Sequence, residues 1–287
     1  MAAARRPSTA LSAGVLALLA GLTACDSTPI APRAFIDYGR GIYALTSANT
    51  IVVFGSNHPD SLARTLAVSG LPETESLVGI DFGPQDGLLY AVGLSGRVFA
   101  IDTTSGAAIQ SGDGSQALPL VSTAFGVDIN PVPNRLRVQG ESGENVRIDQ
   151  LTGALAGLDT VLAFLQDDPN RNVAPRIVGT AYTVAVGDNS TTTLYAIDAN
   201  LDLLVQLPFP NSGGIRTVGS LQTTTTDDVG FDIVPAPAGT VGTAFATLTP
   251  VAGQPSKLYT ISLTDGRATL IGTVGTPLPI RGIAVAP

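Results

Sequence analysis

The last seven residues of the chain, Arg281 to Pro287, read RGIAVAP and carry the pattern that decides the fold. The pattern is a glycine, then an apolar residue or threonine, then an aspartate or alanine. It occurs five times: Gly79-Ile80-Asp81, Gly126-Val127-Asp128, Gly179-Thr180-Ala181, Gly230-Phe231-Asp232 and Gly282-Ile283-Ala284. The glycines are 47, 53, 51 and 52 residues apart, which is a period typical of repeat folds.

Each copy except the last is followed by further short β-rich runs separated by turn residues, so that one unit contains about four strands. In the first unit these are LVGIDF, LLYAVGL, RVFAIDT and GAAIQSG. The last copy lacks three following strands, and the segment from Gly41 to Gly70 supplies three strands without a preceding copy. The sequence therefore predicts an all-β, five-bladed β-propeller whose last blade is closed by the N- and C-terminal strands together. A β-sandwich would leave the spacing of about 50 residues between the repeated glycines unexplained. The one segment with plausible helical periodicity is 158–166, LDTVLAFLQ.

The N-terminal residues have the features of a bacterial lipoprotein signal. Arg5 and Arg6 precede an apolar stretch from Ala10 to Leu22, which is too short to span a bilayer and ends in small residues before Cys25. Cys25 is the only cysteine, and lipidation explains both its position and its isolation. We expect a signal peptide at 1–24, a lipidated N-terminus and tether at 25–33, and one propeller domain at 34–287. An ordinary secretory signal is the alternative.

Composition limits the chemistry that the chain can perform. The formal net charge is −8 at pH 7, which becomes −10 after loss of the two signal arginines, and this argues against a nucleic-acid partner. His58 is the only histidine, so a metal site built from several histidines and cysteines is impossible. GDGSQ at 112–116 and DDPNRN at 167–172 are rich in oxygen ligands but lack the spacing of an EF-hand. We expect no metal and no cofactor.

Three long stretches of the chain also resemble a known family. They are LVGIDFGPQDGLLYAVGLSGRVFAID, FGVDINPVPNRLRVQGESGENVRIDQLTGAL, and IVGTAYT followed by TTTLYAID. They are similar to the bacterial family known as domain of unknown function 4394, and the resemblance runs from about Gly41 to Ala286. It implies a propeller-like fold in exported proteins and assigns no activity, ligand or catalytic residue.

Asp81, Asp128 and Asp232 occupy the same place in three first strands, and first strands line the central channel of a propeller. Strand alternation puts each of them on the same face as the glycine of its repeat. A buried carboxylate needs hydrogen-bond partners, so the first interpretation is that each bonds backbone amides of the next blade. The alternatives are ligand binding and a glycan-cleaving pair of carboxylates.

One blade carries arginines where the others carry aromatic residues. Alignment through the repeat places Arg137 where Tyr43, Tyr90, Tyr195 and Phe245 stand, with Arg135 on the same strand face. Arg147 in NVRID is aligned with Phe99 of RVFAID, near Glu141, Glu144 and Asp149. We expect either an internal ion network, with Asp128 and Asp149 as acceptors, or a site for a carboxylated or phosphorylated ligand.

These features favour a binding or protein-interaction module over an enzyme. We expect a monomer on the periplasmic or cell-surface side of a bacterial membrane, with an envelope protein or a small anionic ligand as partner. The alternative function is a glycan-active hydrolase that uses carboxylates in the propeller channel.

Overall fold

The computed structural model describes residues 37–186, 191–237 and 239–287. The predicted signal peptide, Cys25 and the tether up to residue 33 lie outside these ranges. No helix among the described residues is long and apolar enough to cross a membrane. The only helical element in the same ranges is a short 3-10 turn, Pro210–Ser212.

Five antiparallel sheets form the blades, and the prediction of a five-bladed propeller is confirmed. Blade 5 contains β1 (Gly41–Thr46), β2 (Thr50–Gly55) and β3 (His58–Ala67), together with β23 (Ile280–Val285). Blade 1 contains β4 (Leu77–Phe82), β5 (Leu89–Gly93), β6 (Val98–Ile101) and β7 (Ala108–Gln110). Blade 2 contains β8 (Phe125–Asn130), β9 (Arg135–Gly140), β10 (Asn145–Ile148) and β11 (Leu155–Leu158). Blade 3 contains β12 (Ala163–Phe164), β13 (Ile177–Tyr182), β15 (Leu194–Asp198), β16 (Leu203–Phe209) and β17 (Gly214–Ser220). Blade 4 contains β18 (Val229–Ile233), β20 (Ala244–Leu248), β21 (Lys257–Ile261) and β22 (Ala268–Thr273).

The ring closes as the sequence predicts. Strand β23 pairs with β1, with Tyr43 opposite Ala284, so the two ends of the domain share one sheet. The innermost strands β4, β8, β13, β18 and β23 each contact the next one around the ring. Closure hides the inner sheet edges, which would otherwise present unpaired backbone groups.

The repeated glycines allow the innermost strands to approach closely. A Cβ atom added at Gly126 would lie 2.5 Å from the backbone nitrogen of Thr180 in blade 3, and one at Gly230 would lie 2.7 Å from that of Ile283 in blade 5. Only glycine leaves room for the backbone of the next blade at these positions. The open space on the channel axis at this level is only about 10 Å³.

The helix expected at 158–166 is wrong. Leu162 and Phe164 are buried, whereas Val161 and Ala163 are exposed, so the segment alternates with the period of a strand. Ala163 and Phe164 form β12, which adds to blade 3 in parallel with β17. The burial of alternate side chains in the hydrophobic core of blade 3 overrides the helical propensity of the leucines.

A second pair of strands that does not belong to the repeated blade pattern lies on the face of the propeller where the innermost strands end. Strands β14 (Ala185–Val186) and β19 (Ala236–Pro237) follow the innermost strands of blades 3 and 4 and pair with each other in parallel. This ribbon joins two neighbouring blades above the channel.

Candidate functional site: the channel mouth and the blade 2–3 arginine cluster

Asp81, Asp128 and Asp232 come together near the central channel. The strand register places them opposite Tyr90, Arg137 and Phe245 respectively, as the repeat alignment predicts. All three are buried. One carboxylate oxygen from each lies within 4.8 Å of the other two, close enough to surround a single cation.

Each aspartate is held by backbone amides. Asp81 accepts hydrogen bonds at 2.7 Å from its neighbour Phe82 and at 2.7 Å from Ile129 in blade 2. Asp232 accepts at 2.6 Å from Ile233 and at 2.6 Å from Val285 in blade 5. These bonds fasten one innermost strand to the next.

Asp128 also lies near backbone amides. The amide of Tyr182 in blade 3 and that of Ile129 both favour its ionised form. Asp81 and Asp232 are therefore each partnered by an amide of their own strand and one of the next blade, in the arrangement that the sequence suggested for a repeated carboxylate.

The proximity of the three carboxyl groups alters their proton affinity. Burial raises the pKa of Asp81 well above its ordinary value, and the charge of Asp232 raises it further. Burial and the charges of Asp81 and Asp232 likewise raise the pKa of Asp128 well above its ordinary value. Burial raises the pKa of Asp232 from 3.8 to about 6. The triad therefore holds protons at pH values where isolated aspartates have lost them, unless another positive charge replaces those protons.

A cavity of about 630 Å³ opens directly above the triad. Its walls include Arg40, Gln85, Tyr182, Ala185, Pro235 and Pro287. The loops after the innermost strands and the β14–β19 ribbon thus form a cup, with the carboxyl groups at its base and the narrow glycine level below. The volume is in the range of small-ligand sites in proteins.

The arginines of blade 2 form an internal network away from this cup. Arg137 is 2% exposed, and its Nη1 donates to Asp159 Oδ2 at 2.9 Å. Arg147 donates to both oxygens of Asp159, each at 2.8 Å. The remaining contacts of Arg137 are to neutral oxygens: Tyr182 Oη, Asn145 Oδ1 and Asn211 Oδ1, each at 2.6 Å.

One of the two expected acceptors, Asp128, is placed differently. Asp128 lies opposite Arg137 in the β8–β9 register, yet it forms no ion pair within 4.0 Å among the described residues, because its carboxylate turns to the channel and the next blade. Asp149, the other expected acceptor, does pair with an arginine of this blade, Arg135, at 3.2 Å. Asp159, which the sequence did not indicate, is the carboxylate partner of Arg137 and of Arg147.

Two smaller expectations about this blade also need correction. The register places Arg147 opposite Arg137, as Ala100 lies opposite Tyr90, so Arg147 corresponds to Ala100 and not to Phe99. Glu141 and Glu144 do not pair with the arginines. They accept backbone hydrogen bonds from the segment that precedes β8, at 3.0 Å from Thr123 and 2.6 Å from Ser122.

Comparison with protein families decides the relationship that the sequence suggests. The family model described as a domain of unknown function (DUF4394) matches residues 50–284. The chain belongs to this family. A search of the curated proteins gave no match.

Solved structures with the same general fold are distant in sequence. The chain is similar to a chain of a nidogen/laminin complex with a TM-score of 0.50 and 10% identity, over 87% of this chain and 99% of that one. It is also similar to a structural genomics protein of unknown function from Bacteroides thetaiotaomicron, with a TM-score of 0.47 and 14% identity, over 86% and 66% of the two chains. Dihydro-heme d1 dehydrogenase NirN in complex with DHE gives a TM-score of 0.37 and 13% identity over 86% of this chain, which spans 46% of the NirN chain. At these identities the likeness concerns the fold alone.

Several residues of the two clusters were not foreseen from the sequence. Asp159 was hidden in the segment read as a helix, and Asn211 lies 74 residues from Arg137 in the chain. Tyr182 contacts Arg137 and also lines the cup, so its side chain lies between the arginine network and the channel mouth. Only the place of Tyr182 at the end of an innermost strand could have indicated its role.

Proposed function

We propose that this family member is a binding module that takes a small, positively charged ligand in the cup at the mouth of its channel. The observation that carries the proposal is the 630 Å³ cavity above three buried carboxyl groups that approach within 4.8 Å of one another. Buried carboxylates in such proximity must be neutralised, either by protons or by a cation. A ligand that brings a positive charge replaces the protons.

The donor set indicates the chemistry of the ligand. Carboxylate oxygens are preferred by calcium and magnesium, and they also accept hydrogen bonds from ammonium and guanidinium groups. Each carboxylate oxygen has more than one lone pair. The hydrogen bonds from backbone amides to Asp81 and Asp232 therefore leave these oxygens able to accept a further contact from a ligand in the cup. The proposed ligand is therefore a metal ion or an organic cation.

Thermal unfolding of the full chain in mild detergent tests this proposal, with calcium chloride and spermidine as separate probes. A probe at about 100 times its dissociation constant stabilises a protein by about 2.7 kcal/mol. For a domain of this size we expect the melting temperature to rise by roughly 5–10 °C with at least one probe. The response to each probe separates a metal site from an organic cation site.

Three variants give the control. Asp128→Asn removes a carboxylate from the triad, and Gln85→Lys places a competing positive charge on the exposed wall of the cup without altering the core. Asp128→Asn should abolish the response and Gln85→Lys should weaken it, because the wall then carries a second positive charge in addition to that of Arg40, whereas Asp167→Asn, which changes an exposed carboxylate outside the cup, should retain it. The proposal is wrong if neither probe raises the melting temperature of the natural chain, or if Gln85→Lys responds as fully as the natural chain does.

The arrangement gives less support to a glycan-active hydrolase. Such enzymes use two carboxyl groups about 5–9.5 Å apart with oxygens free to act on the substrate. Both oxygens of Asp81 and of Asp232 already accept amide hydrogen bonds, so neither residue has an oxygen without a protein partner. Binding is the function that this geometry favours.

The same proposal places the module at a bacterial membrane, on the periplasmic or cell-surface side, where an envelope protein is a further candidate partner. Its support is the apolar stretch from Ala10 to Leu22 followed by the single cysteine, Cys25. A lipid chain on Cys25 would anchor the domain without a membrane-spanning helix.

Substitution of the acceptor cysteine tests the anchor. We expect Cys25→Ala to move the protein from the membrane fraction to the soluble or retained precursor fraction and to abolish incorporation of labelled palmitate, because no other thiol is present. Ser27→Ala, two residues away, should leave both properties unchanged. Undiminished labelling of Cys25→Ala would exclude this anchor.

A further inference from the structure

A second concave site lies between blades 2 and 3, on the outer side of Tyr182. It is a groove of about 840 Å³, lined by polar side chains at its base and apolar side chains at its rim. The groove residues used below are Arg137, Asn211, Gln206, Pro133, Pro208 and Phe209.

The charge beneath this groove is not balanced. Arg137 and Arg147 share a single carboxylate, that of Asp159, and no second carboxylate of the described residues lies within 4.0 Å of either guanidinium. The other partners of Arg137 are the neutral oxygens of Tyr182, Asn145 and Asn211. Among the described residues this network therefore holds one more positive than negative charge, with the Arg137 side chain 2% exposed and that of Arg147 29% exposed.

Arg137 also retains hydrogen-bonding capacity. A guanidinium carries five N–H groups, and Nη2 supplies two of them. Among the residues that the structure describes, Nη2 donates one hydrogen bond, to Asn211 Oδ1. Since Arg137 lines the groove, a ligand at its base lies next to this positively charged network and to a guanidinium with one N–H that has no partner among the described residues.

The rim of the groove has a different character. Phe209 is 61% exposed, which is unusual for a phenylalanine, and it lies beside Pro133 and Pro208. Exposed aromatic and proline side chains around a polar base are suited to the apolar body of a ligand whose charged end is buried.

We propose that the groove between blades 2 and 3 binds a small organic carboxylate with an apolar body. Its carboxylate accepts hydrogen bonds from the Arg137 guanidinium and its body packs against Phe209. The proposed ligand is opposite in charge to that of the channel mouth and uses a separate opening, so either site can exist without the other.

Ligand-observed NMR and calorimetry with 3-phenylpropionate test the inference on the full chain. The matched neutral probe is 3-phenylpropanamide, which has the same body without the charge, and inorganic phosphate tests whether an anion suffices. We expect the carboxylate to bind at least about tenfold more tightly than the amide, because only the carboxylate neutralises the excess charge.

Two groove variants keep the test independent of folding. Gln206→Glu adds a nearly isosteric negative charge beside the site and should weaken binding of 3-phenylpropionate by at least about tenfold through like-charge repulsion. Phe209→Ala removes an exposed ring and should weaken binding of 3-phenylpropionate but not of phosphate. The inference is overturned if the amide and the carboxylate bind equally, or if Gln206→Glu binds the carboxylate as the natural chain does.

Discussion

Replacing Arg137 by leucine is expected to lower the free energy of unfolding by about 2–5 kcal/mol, because two buried oxygens, those of Tyr182 and Asn145, lose this donor. The change leaves Asp159, which is 5% exposed, with Arg147 as its one ion-pair partner among the described residues. It also removes the donor from the side-chain oxygen of Asn211. Each unsatisfied buried acceptor adds a desolvation cost.

The contacts of this network explain why the loss of stability should affect the whole propeller and not only blade 2. Asn145 donates hydrogen bonds to the backbone oxygens of Thr160 and Pro210, at 3.1 and 2.7 Å, and so joins blade 2 to the turn between β16 and β17 of blade 3. Removal of Arg137 releases Asn145 Oδ1 from its strongest partner. In a closed ring, loosening of one blade boundary also weakens the closure on which the other blades depend.

Urea unfolding followed by circular dichroism measures this effect, and Arg135→Leu is the matched control. Arg135 lies two residues away on the same strand, but its side chain is 37% exposed and its ion pair with Asp149 spans 3.2 Å. Exposed ion pairs contribute about 0–1 kcal/mol, so this variant should unfold close to the natural chain. Equal stabilities of Arg137→Leu and Arg135→Leu would show that the buried network does not stabilise the fold.

The comparison of these two arginines shows what the sequence can predict. Repetition fixes the register, so the alignment of blades places Arg137 correctly opposite Asp128 and in the position of Tyr90. The same repetition predicts the ring closure by β1 and β23. Each of these predictions depends on a backbone pattern that occurs several times.

The partners of the side chains do not repeat, and the sequence did not predict them. A long arginine side chain reaches several acceptors from one backbone position, so register alone does not select Asp159 over Asp128. Likewise the triad follows from the repeat, whereas the cup above it is built by irregular loops and by the β14–β19 ribbon, for which no motif exists. The residues that shape the two candidate sites of this protein lie mostly in such unrepeated segments.

The stability of the protein is expected to fall as the pH rises from about 4 to about 7, which is opposite to the usual behaviour of aspartates. In the unfolded chain each triad aspartate loses its proton near pH 3.8, whereas burial raises the pKa of Asp232 to about 6 in the folded protein. Between these values the folded state binds more protons than the unfolded state, so the free energy of unfolding decreases with pH. For Asp232 alone the loss is about 3 kcal/mol, and it is complete above its folded pKa.

The other two triad members act in the same direction. Burial raises the pKa of Asp81 and Asp128 well above the ordinary value, so their contributions continue toward higher pH. Acidic groups whose pKa is lowered, such as Glu141, stabilise the fold above their unfolded pKa and lose that contribution only as the pH falls below it. The window from about 4 to about 7 therefore reports chiefly on groups with a raised pKa.

Urea unfolding at a series of pH values across this window, in the presence of a chelator and without polyamines, measures the slope. Asp232→Asn is the informative variant, because an amide does not titrate. The free energy of unfolding of this variant should change less with pH than that of the natural chain, whatever the absolute cost of the altered hydrogen bonds to Ile233 and Val285. Stability that is constant or rises across the window would contradict the expected protonation of the triad. Protons and a bound cation neutralise the same three carboxyl groups, so this slope measures the electrostatic cost that the proposed ligand of the channel mouth relieves at neutral pH.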